Sequence, residues 1–173
     1  MKKTAVSKKV KKLETKVTKL LDKARVKYKT LKHKVVFTAH DVGATTKKKL
    51  GEIAKVVLVK ADLPGRQAGK EFVLIVLPAG KYVDFAGIKK ALKAKKVSMA
   101  SEKDITKYLK TKVGLLHPFG SEYNIQTLLD KGMARAKKII ASAGTYTDSV
   151  ELAIKDFEKL VKPIKGAFAK SKR

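Results

Sequence analysis

Lys55 is the side chain in this sequence best placed to do chemistry, because it stands near the start of an apolar segment. The segment, residues 53–59, has the composition of a strand that is buried on both faces. A lysine there either extends to water at the strand end or is held in the wall of a cleft. In a cleft, its compact positive charge suits a phosphate group or the carbonyl oxygen of an ester. Lys55 is therefore our candidate catalytic residue.

A second candidate is the turn at residues 114–120, which combines two glycines with a proline. Glycine lets the backbone approach a ligand and offer N–H donors, and proline stiffens the loop. Such donors can stabilise the oxyanion that forms when water attacks an ester, although a purely structural turn fits the same residues. His117 is either a general base or a locally packed side chain. The predicted substrate-binding residues of the turn are Gly114, Leu115, Leu116, His117, Pro118, Phe119 and Gly120.

Ser142 and Gly144 follow a predicted strand, and they either line the same cleft or form a strand-end turn. His33 and His40 make no metal-ligand pattern with His117, and the chain has no cysteine. The sequence also contains no phosphate-binding P-loop, no nucleophile elbow and no paired carboxylates at helical spacing. It therefore predicts no metal site, no cofactor, and neither triad nor thiolate chemistry.

The net charge of +27 is the most unusual property of the chain, with 42 basic and 15 acidic residues. Such an excess suits a polyanionic partner, and RNA, DNA and anionic membranes all qualify. Only four of the basic residues are arginine. Lysine binds phosphate as a point charge, whereas arginine also reads base edges. The composition thus indicates contact with a nucleic-acid backbone, or else a solvated surface that serves solubility.

Length and apolar content predict a single domain over residues 1–173, with a core at about 20–160. The 173 residues, 44% of them hydrophobic, suffice for a sizeable core. The longest apolar run, residues 72–79, is too short to cross a bilayer, and lysines interrupt the N-terminal segment that begins like a signal peptide. We expect a soluble, cytoplasmic protein without a membrane partner and, for one highly charged domain, a monomer.

Periodicity and capping residues predict helices and strands in mixed order. The predicted helices are an amphipathic 6–24, one capped by Thr38 and running to Gly51, one capped by Asp84, one capped by Ser101 and running to Lys110, and 156–162. The predicted strands are 25–33, 54–61, 71–77, a short one at Val97, 125–129, 138–143 and 149–153. A mobile basic tip at 62–70 and a loose basic tail at 165–173 complete the chain. The fold class predicted is α+β, with a mixed, curved β-sheet or partial barrel flanked by helices.

In their order along the chain, several short motifs resemble the YbaK/ProX family of aminoacyl-tRNA deacylases. The resemblance covers about residues 20–160 and includes the Lys55 strand and Pro118-Phe119-Gly120. The other matching segments are 36–41 (VFTAHD), 77–84 (LPAGKYVD), 91–100 (ALKAKKVSMA), 128–130 (LLD) and 144–152. The resemblance implies a YbaK-like fold, also found as an editing insertion in some prolyl-tRNA synthetases. It further implies that Lys55 anchors the terminal adenosine or the aminoacyl ester, without acting as a nucleophile, and that the 114–120 loop closes over the aminoacyl group.

The activity implied by the resemblance is trans-editing, the hydrolysis of a wrong amino acid from tRNA. The expected substrate is proline tRNA carrying alanine, cysteine or a similar small residue. The implied partners are the acceptor stem and CCA end of tRNA and, in addition, prolyl-tRNA synthetase. Val56 departs from the family's usual small polar residue, and His117 departs from its usual serine or threonine. The alternatives are a non-catalytic tRNA- or RNA-binding protein on the same fold, and a small-molecule- or peptide-binding protein.

Overall fold

The computed structural model describes residues 12–65 and 70–172 of the chain. Its α-helices are α1 (Lys16–Lys23), α2 (Ala39–Thr46), α3 (Phe85–Leu92), α4 (Glu102–Asp104), α5 (Lys131–Ala134) and α6 (Ile154–Val161). Its strands are β1 (Tyr28–Lys32), β2 (Ala54–Asp62), β3 (Lys70–Pro78), β4 (Tyr82–Val83), β5 (Lys96–Met99), β6 (Gln126–Asp130), β7 (Lys138–Ser142), β8 (Asp148–Ala153), β9 (Ile164–Gly166) and β10 (Ala169–Lys170). A π-helical turn (Ile105–Leu109) continues α4, and a 3-10 helix (Gly120–Tyr123) precedes β6.

A five-stranded mixed sheet, in the order β5-β2-β3-β6-β9, forms the centre of the fold. β2 pairs antiparallel with β3 and with β5, whereas β6 and β9 continue the sheet in parallel. The central residues of β2 and β3, 56–59 and 72–77, are all apolar because their side chains enter different clusters on the two faces. Val76 packs with the second sheet, while Ile75 and Leu77 pack with Ile88 of α3. The structure thereby confirms the predicted α+β class and the strand that begins at Ala54.

A second, antiparallel sheet in the order β1-β8-β7 meets the central sheet at the start of β2. A β-bridge between Ile53 and Ile140 joins them at this point. The largest hydrophobic cluster combines residues of both sheets with Val17 of α1 and Phe157 of α6. The strands within the described ranges do not close into a barrel. The start of β2, which carries Lys55, therefore lies where the two sheets meet.

The C-terminal segment shows that the predicted loose tail was wrong. β9 pairs with β6, and β10 pairs with β4, so that Lys170 lies opposite Tyr82. Phe168, between these strands, is only 1% exposed and packs in the cluster that contains Ile88. The many lysines of the segment suggest a solvated tail, but burying a single phenylalanine side chain stabilises the folded segment by about 2 kcal/mol.

Two predicted helices and one predicted strand are shorter than expected, for local reasons. The first helix was predicted over 6–24, yet within the described residues it starts at Lys16, because Thr15 and Thr18 form a reciprocal capping box. Residues 1–11 lie outside the described part of the chain. The second helix begins after Thr38 as predicted, but it ends at Thr46, because the next residue, Lys47, adopts a left-handed conformation. Similarly, Arg25 has a positive φ, and the first strand starts only at Tyr28.

Other local predictions are confirmed at their capping residues. Asp84 accepts a hydrogen bond from the N–H of Ala86 at the start of α3, and Ser101 forms a capping box at α4. The predicted turn at 62–70 joins β2 to β3, and residues 66–69 of it lie outside the described part. β4 and α5 were not predicted. Across the two described ranges, no helix has the length and apolar composition that crossing a bilayer requires.

Candidate functional site

A cleft of about 230 Å³ opens where the two sheets meet. Its walls come from the connection between β1 and α2, the start of β2, the segment 113–116, and the ends of β7 and β8 that face each other in the hairpin. Among the described lining residues apolar side chains predominate, and hydroxyl groups, His33 and Lys55 add polar atoms. The lining residues are His33, Val36, Phe37, Thr38, Ala39, Val42, Ile53, Ala54, Lys55, Val56, Val113, Gly114, Leu116, Ile140, Ala141, Ser142, Thr145 and Ser149.

Lys55 lies in the cleft wall, as its position in the sequence allowed, and its side chain is half-buried. Its Nζ donates a hydrogen bond of 2.7 Å to the carbonyl oxygen of Lys81 and lies 5.1 Å from the centre of the Tyr82 ring. Burial lowers the pKa of the Lys55 ammonium below its usual value. An ammonium has three N–H donors, so the hydrogen bond to Lys81 leaves two of them for a ligand.

The predicted 114–120 loop reaches the cleft only with its first residues, Gly114 and Leu116. Gly114 has a φ of +85°, and a Cβ atom there would lie 2.9 Å from the carbonyl oxygen of Phe37 and 3.3 Å from Cε1 of Tyr146. The rings of Phe37 and Tyr146 pack against each other with their centres 5.0 Å apart. Glycine is therefore required at 114 both by the backbone conformation and by the close approach of the opposite wall.

The rest of the loop packs behind the cleft wall, in the protein interior. Leu115 is half-buried and does not line the cleft, while Pro118, Phe119 and Gly120 are buried. Phe119 belongs to the largest hydrophobic cluster. A Cβ atom on Gly120 would lie 2.4 Å from the carbonyl oxygen of Ile125, so this glycine serves close packing.

His117 is 5% exposed, and its ring stacks on Tyr123 with centres 4.4 Å apart. Its backbone N–H donates to the hydroxyl of Tyr123 at 3.4 Å. Burial lowers the pKa of His117 to about 4, which keeps the imidazole neutral at pH 7. The structure thus places His117 away from the cleft lining, in a packed position.

Ser142 lines the cleft, whereas Gly144 does not. The Oγ of Ser142 accepts a hydrogen bond of 3.1 Å from the N–H of Gly144, which has a φ of +87°. Within the described ranges, and apart from its chain neighbours, no heavy atom would lie within 4 Å of a Cβ on Gly144. The structure therefore brings together Lys55, Gly114, Leu116 and Ser142 of the predicted site residues, and it places Gly144 in the turn between β7 and β8.

His33 and Ser149, neither of which was predicted as a site residue, form a polar pair in the cleft. The Nε2 of His33 lies 3.0 Å from the Oγ of Ser149, and its Nδ1 lies 2.9 Å from the carbonyl oxygen of Lys34. Because a carbonyl only accepts, Nδ1 carries the proton in the neutral ring, and Nε2 accepts from the serine hydroxyl. No motif marks this pair, since 116 residues separate its members. The segment 36–41, close to His33 in the sequence, could be recognised because it matches a motif of the YbaK/ProX family.

Gly114→Ala is expected to lower the free energy of unfolding by about 3 kcal/mol, because it adds a clash with Phe37 to an unfavourable left-handed backbone. Gly65→Ala is the matched control, with a φ of +82° and, among the described residues beyond its chain neighbours, no heavy atom within 4 Å of a new Cβ. That variant is expected to lose only about 1 kcal/mol. Urea unfolding of the two variants measures the difference. Equal losses would mean that the contact between Gly114 and Phe37 is absent in solution.

The buried His117 predicts a loss of stability in acid. Its folded-state pKa of about 4 lies below the value of about 6.5 expected in the unfolded chain. Between these values the unfolded chain binds more protons, so the contribution of His117 is fully present above pH 6.5 and is lost as the pH falls toward 4. We expect this loss to be about 2 to 3 kcal/mol in the free energy of unfolding.

Urea unfolding at pH 7, 5.5 and 4.5 of wild type, His117→Leu and His40→Leu isolates this contribution. His40 is exposed, and its replacement is expected to leave the acid-dependent loss unchanged. The His117→Leu variant should show a shallower loss, because it has no imidazole to protonate on unfolding. If the free energy of unfolding changed with pH in the same way in all three proteins, the buried, neutral state of His117 would be contradicted.

Solved structures share this fold over nearly the whole chain. "Hypothetical protein APE2540" superposes with a TM-score of 0.80 at 18% identity, covering 90% of this chain and all of that one. A protein proposed as a trans-editing enzyme for prolyl tRNA synthetase gives a TM-score of 0.73 at 12% identity, with 92% of this chain and all of that one covered. At such identities the likeness establishes the shared fold.

The family to which the chain belongs follows from its sequence. The family model described as the aminoacyl-tRNA editing domain matches residues 33–160, which include every segment that lines the cleft. The chain therefore belongs to the family of aminoacyl-tRNA editing domains, and the resemblance to YbaK/ProX proteins is confirmed. A curated relative, the prolyl-tRNA editing protein ProX of Acetoanaerobium sticklandii, is 25% identical over 146 residues, covering 82% of this chain and 86% of the relative.

Proposed function

We propose that this protein is a trans-editing deacylase that hydrolyses the ester of mischarged tRNA. The proposed substrate is proline tRNA carrying alanine, cysteine or a similar small residue. The observation that carries the proposal is the half-buried ammonium of Lys55 in the wall of a small cleft, within a chain of the editing-domain family. The curated relative, named as a prolyl-tRNA editing protein, supports the choice of tRNA.

In the proposed reaction, water attacks the carbonyl carbon of the ester that links the amino acid to the terminal ribose. A bond forms from the water oxygen to this carbon, the bond from carbon to the ribose oxygen breaks, and the ribose oxygen takes up a proton. The products are the free amino acid and a tRNA with its ribose hydroxyl restored. Lys55 contributes a positive charge that holds a backbone phosphate or the ester oxygen, and it forms no covalent bond to the substrate. Water or the substrate's own groups complete the proton transfers.

The size and lining of the cleft support a small amino acid as the residue removed. Val36, Ile53 and Ile140 provide apolar contact, and about 230 Å³ leaves little room for a large side chain beside the terminal ribose. Gly114 and Leu116 form part of this wall, so in our proposal they contact the aminoacyl group. Ser142 offers a hydroxyl at the same wall. We assign the buried loop residues from His117 to Gly120 the task of holding this wall in place.

The charge of the chain supports a tRNA partner. Exposed lysines on β10 and beyond it, Lys170 and Lys172, share a groove with Tyr82, whose ring contacts Lys55. Cations beside the cleft attract the phosphates of an acceptor stem whose CCA end enters it. Prolyl-tRNA synthetase, the enzyme that forms such mischarged products, is the proposed protein partner.

Val56 favours the second candidate function, a non-catalytic tRNA-binding protein. It lines the cleft next to Lys55, at the position where the family often has a small polar residue. An isopropyl group there offers no hydrogen bond to the substrate or to a water molecule. This candidate shares the fold and the tRNA, but it predicts no hydrolysis.

Deacylation of purified tRNA decides between the two functions. Proline tRNA charged with alanine, cysteine, serine or proline is incubated with the protein, and the remaining ester is measured over time. We expect one or more of the small mischarged residues to be released faster than in buffer, with proline spared. Binding of tRNA without release of any residue would support the non-catalytic candidate.

A further inference from the structure

We propose that Tyr82 is a positioning residue for Lys55 and that the C-terminal segment 164–172 holds Tyr82 in place. This inference rests on the proposed function, because it gives Tyr82 a role in the reaction of the same site. It arises from the region where the sequence predicted a loose tail. There the structure pairs the C-terminal strand β10 with β4, next to the residues that contact the ammonium of Lys55.

Two groups from consecutive residues act on the Lys55 ammonium. The carbonyl oxygen of Lys81 accepts its hydrogen bond at 2.7 Å, and the ring of Tyr82 lies 5.1 Å from Nζ. The face of an aromatic ring attracts a cation, and the attraction grows where the cation is partly desolvated, as burial makes it here. A lysine side chain has four rotatable bonds, so these two contacts select one orientation of a group that is otherwise mobile.

The C-terminal segment fixes the backbone that carries both groups. β10 pairs with β4, with Lys170 opposite Tyr82, and the N–H of Asp84 donates to the carbonyl oxygen of Phe168 at 2.8 Å. The Nζ of Lys81 also donates to the Oγ of Ser171 at 2.8 Å. β4 has only two residues, so most of its order derives from this pairing.

The same segment is anchored in the core on its other side. The N–H groups of Phe168 and Ala169 both donate to Oδ2 of Asp130, at 2.9 and 3.0 Å, and the Phe168 side chain is buried. A continuous set of contacts therefore leads from the core through β10 and β4 to the ammonium of Lys55. Tyr82 itself remains 48% exposed, so it can be replaced without opening a cavity.

The test compares Tyr82→Phe, Tyr82→Leu and Tyr108→Leu with the wild type. Phenylalanine keeps the aromatic face, whereas leucine keeps apolar volume without it. Tyr108 is the matched control, since it is 52% exposed and has Lys107 Nζ 5.2 Å from its ring centre, but it does not line the cleft. We expect kcat for the best mischarged tRNA to fall roughly fivefold in Tyr82→Leu, with KM nearly unchanged, and to stay within about twofold in Tyr82→Phe. Tyr108→Leu should match the wild type.

Side-chain NMR provides a readout that does not depend on activity. A ring above the end of Lys55 should shift its Cε protons upfield, and Lys55→Arg assigns the signal by removing it. The shift should persist in Tyr82→Phe and vanish in Tyr82→Leu. Its absence from the wild type, or an unchanged kcat in Tyr82→Leu, would overturn the positioning role. A wild type that hydrolyses no mischarged tRNA would instead overturn the proposed function, and the NMR signal alone would then decide whether Tyr82 orients Lys55.

Discussion

Replacing Lys55 by alanine is expected to lower kcat/KM for the hydrolysis of mischarged tRNA by about 100-fold or more. The change removes the charge in the cleft wall that we propose to hold the phosphate or the ester oxygen. It leaves the carbonyl oxygen of Lys81 at an exposed residue where water can replace the ammonium, so the fold should tolerate the change. Single-turnover deacylation with enzyme in excess measures the chemical step directly.

Lys60→Ala controls for the loss of a positive charge from β2, because Lys60 lies in the same strand as Lys55 but does not line the cleft. It removes the same charge, along with a 2.6 Å ion pair to Asp104, and should retain nearly full activity if the protein stays folded. Lys55→Arg is expected to recover only part of the rate, since a planar guanidinium cannot place its charge where an ammonium does. Full activity in Lys55→Ala would show that Lys55 takes no part in the reaction and that its positive charge in the cleft is not needed.

The parts of the fold that were predictable from the sequence are those encoded by neighbouring residues. The strand around Lys55 is one such part, because a segment that is apolar apart from one lysine indicates burial on both faces. The helix starts at Asp84 and Ser101 are others, because a capping side chain bonds to an N–H only two or three residues away. For Lys55 itself the local sequence left two positions open, a strand end in water and a cleft wall, because the cleft is lined by segments distant in the chain.

The parts that could not be predicted depend on contacts between distant segments. The cleft pair of His33 and Ser149 forms only because β1 lies beside β8, and no property of either residue indicates that pairing. Tyr82 reaches Lys55 across the turn between β3 and β4, and a two-residue strand gives no periodic signal. The 114–120 loop was predicted as one ligand-binding unit, but the His117–Phe119 stretch is buried and packs into the interior while Gly114 stays at the cleft.

Asp130→Ala is expected to lower the free energy of unfolding by about 4 kcal/mol, the largest loss that we anticipate for one side chain. Asp130 is 6% exposed and accepts three backbone hydrogen bonds, from Gly132 at 2.8 Å and from Phe168 and Ala169 at 2.9 and 3.0 Å. Alanine leaves these N–H donors without an acceptor in a region that water reaches poorly. The C-terminal segment would then lose its attachment to the core, and with it the support of β4. Urea unfolding at pH 7 measures the loss.

Asp84→Ala is the matched control, because it removes the same type of side chain. The carboxylate of Asp84 accepts a hydrogen bond from one backbone N–H, that of Ala86. The expected loss in Asp84→Ala is about 1 kcal/mol, the usual cost of removing an N-cap. Asp130→Asn should lie between the two, since its amide keeps one accepting oxygen but turns an NH₂ group toward a backbone donor. A loss in Asp130→Ala no greater than that in Asp84→Ala would show that the C-terminal segment does not depend on this carboxylate. The attachment of this segment to the core would then have to come from the burial of Phe168 and the pairing of β9 with β6, and Phe168→Ala would become the variant that tests it.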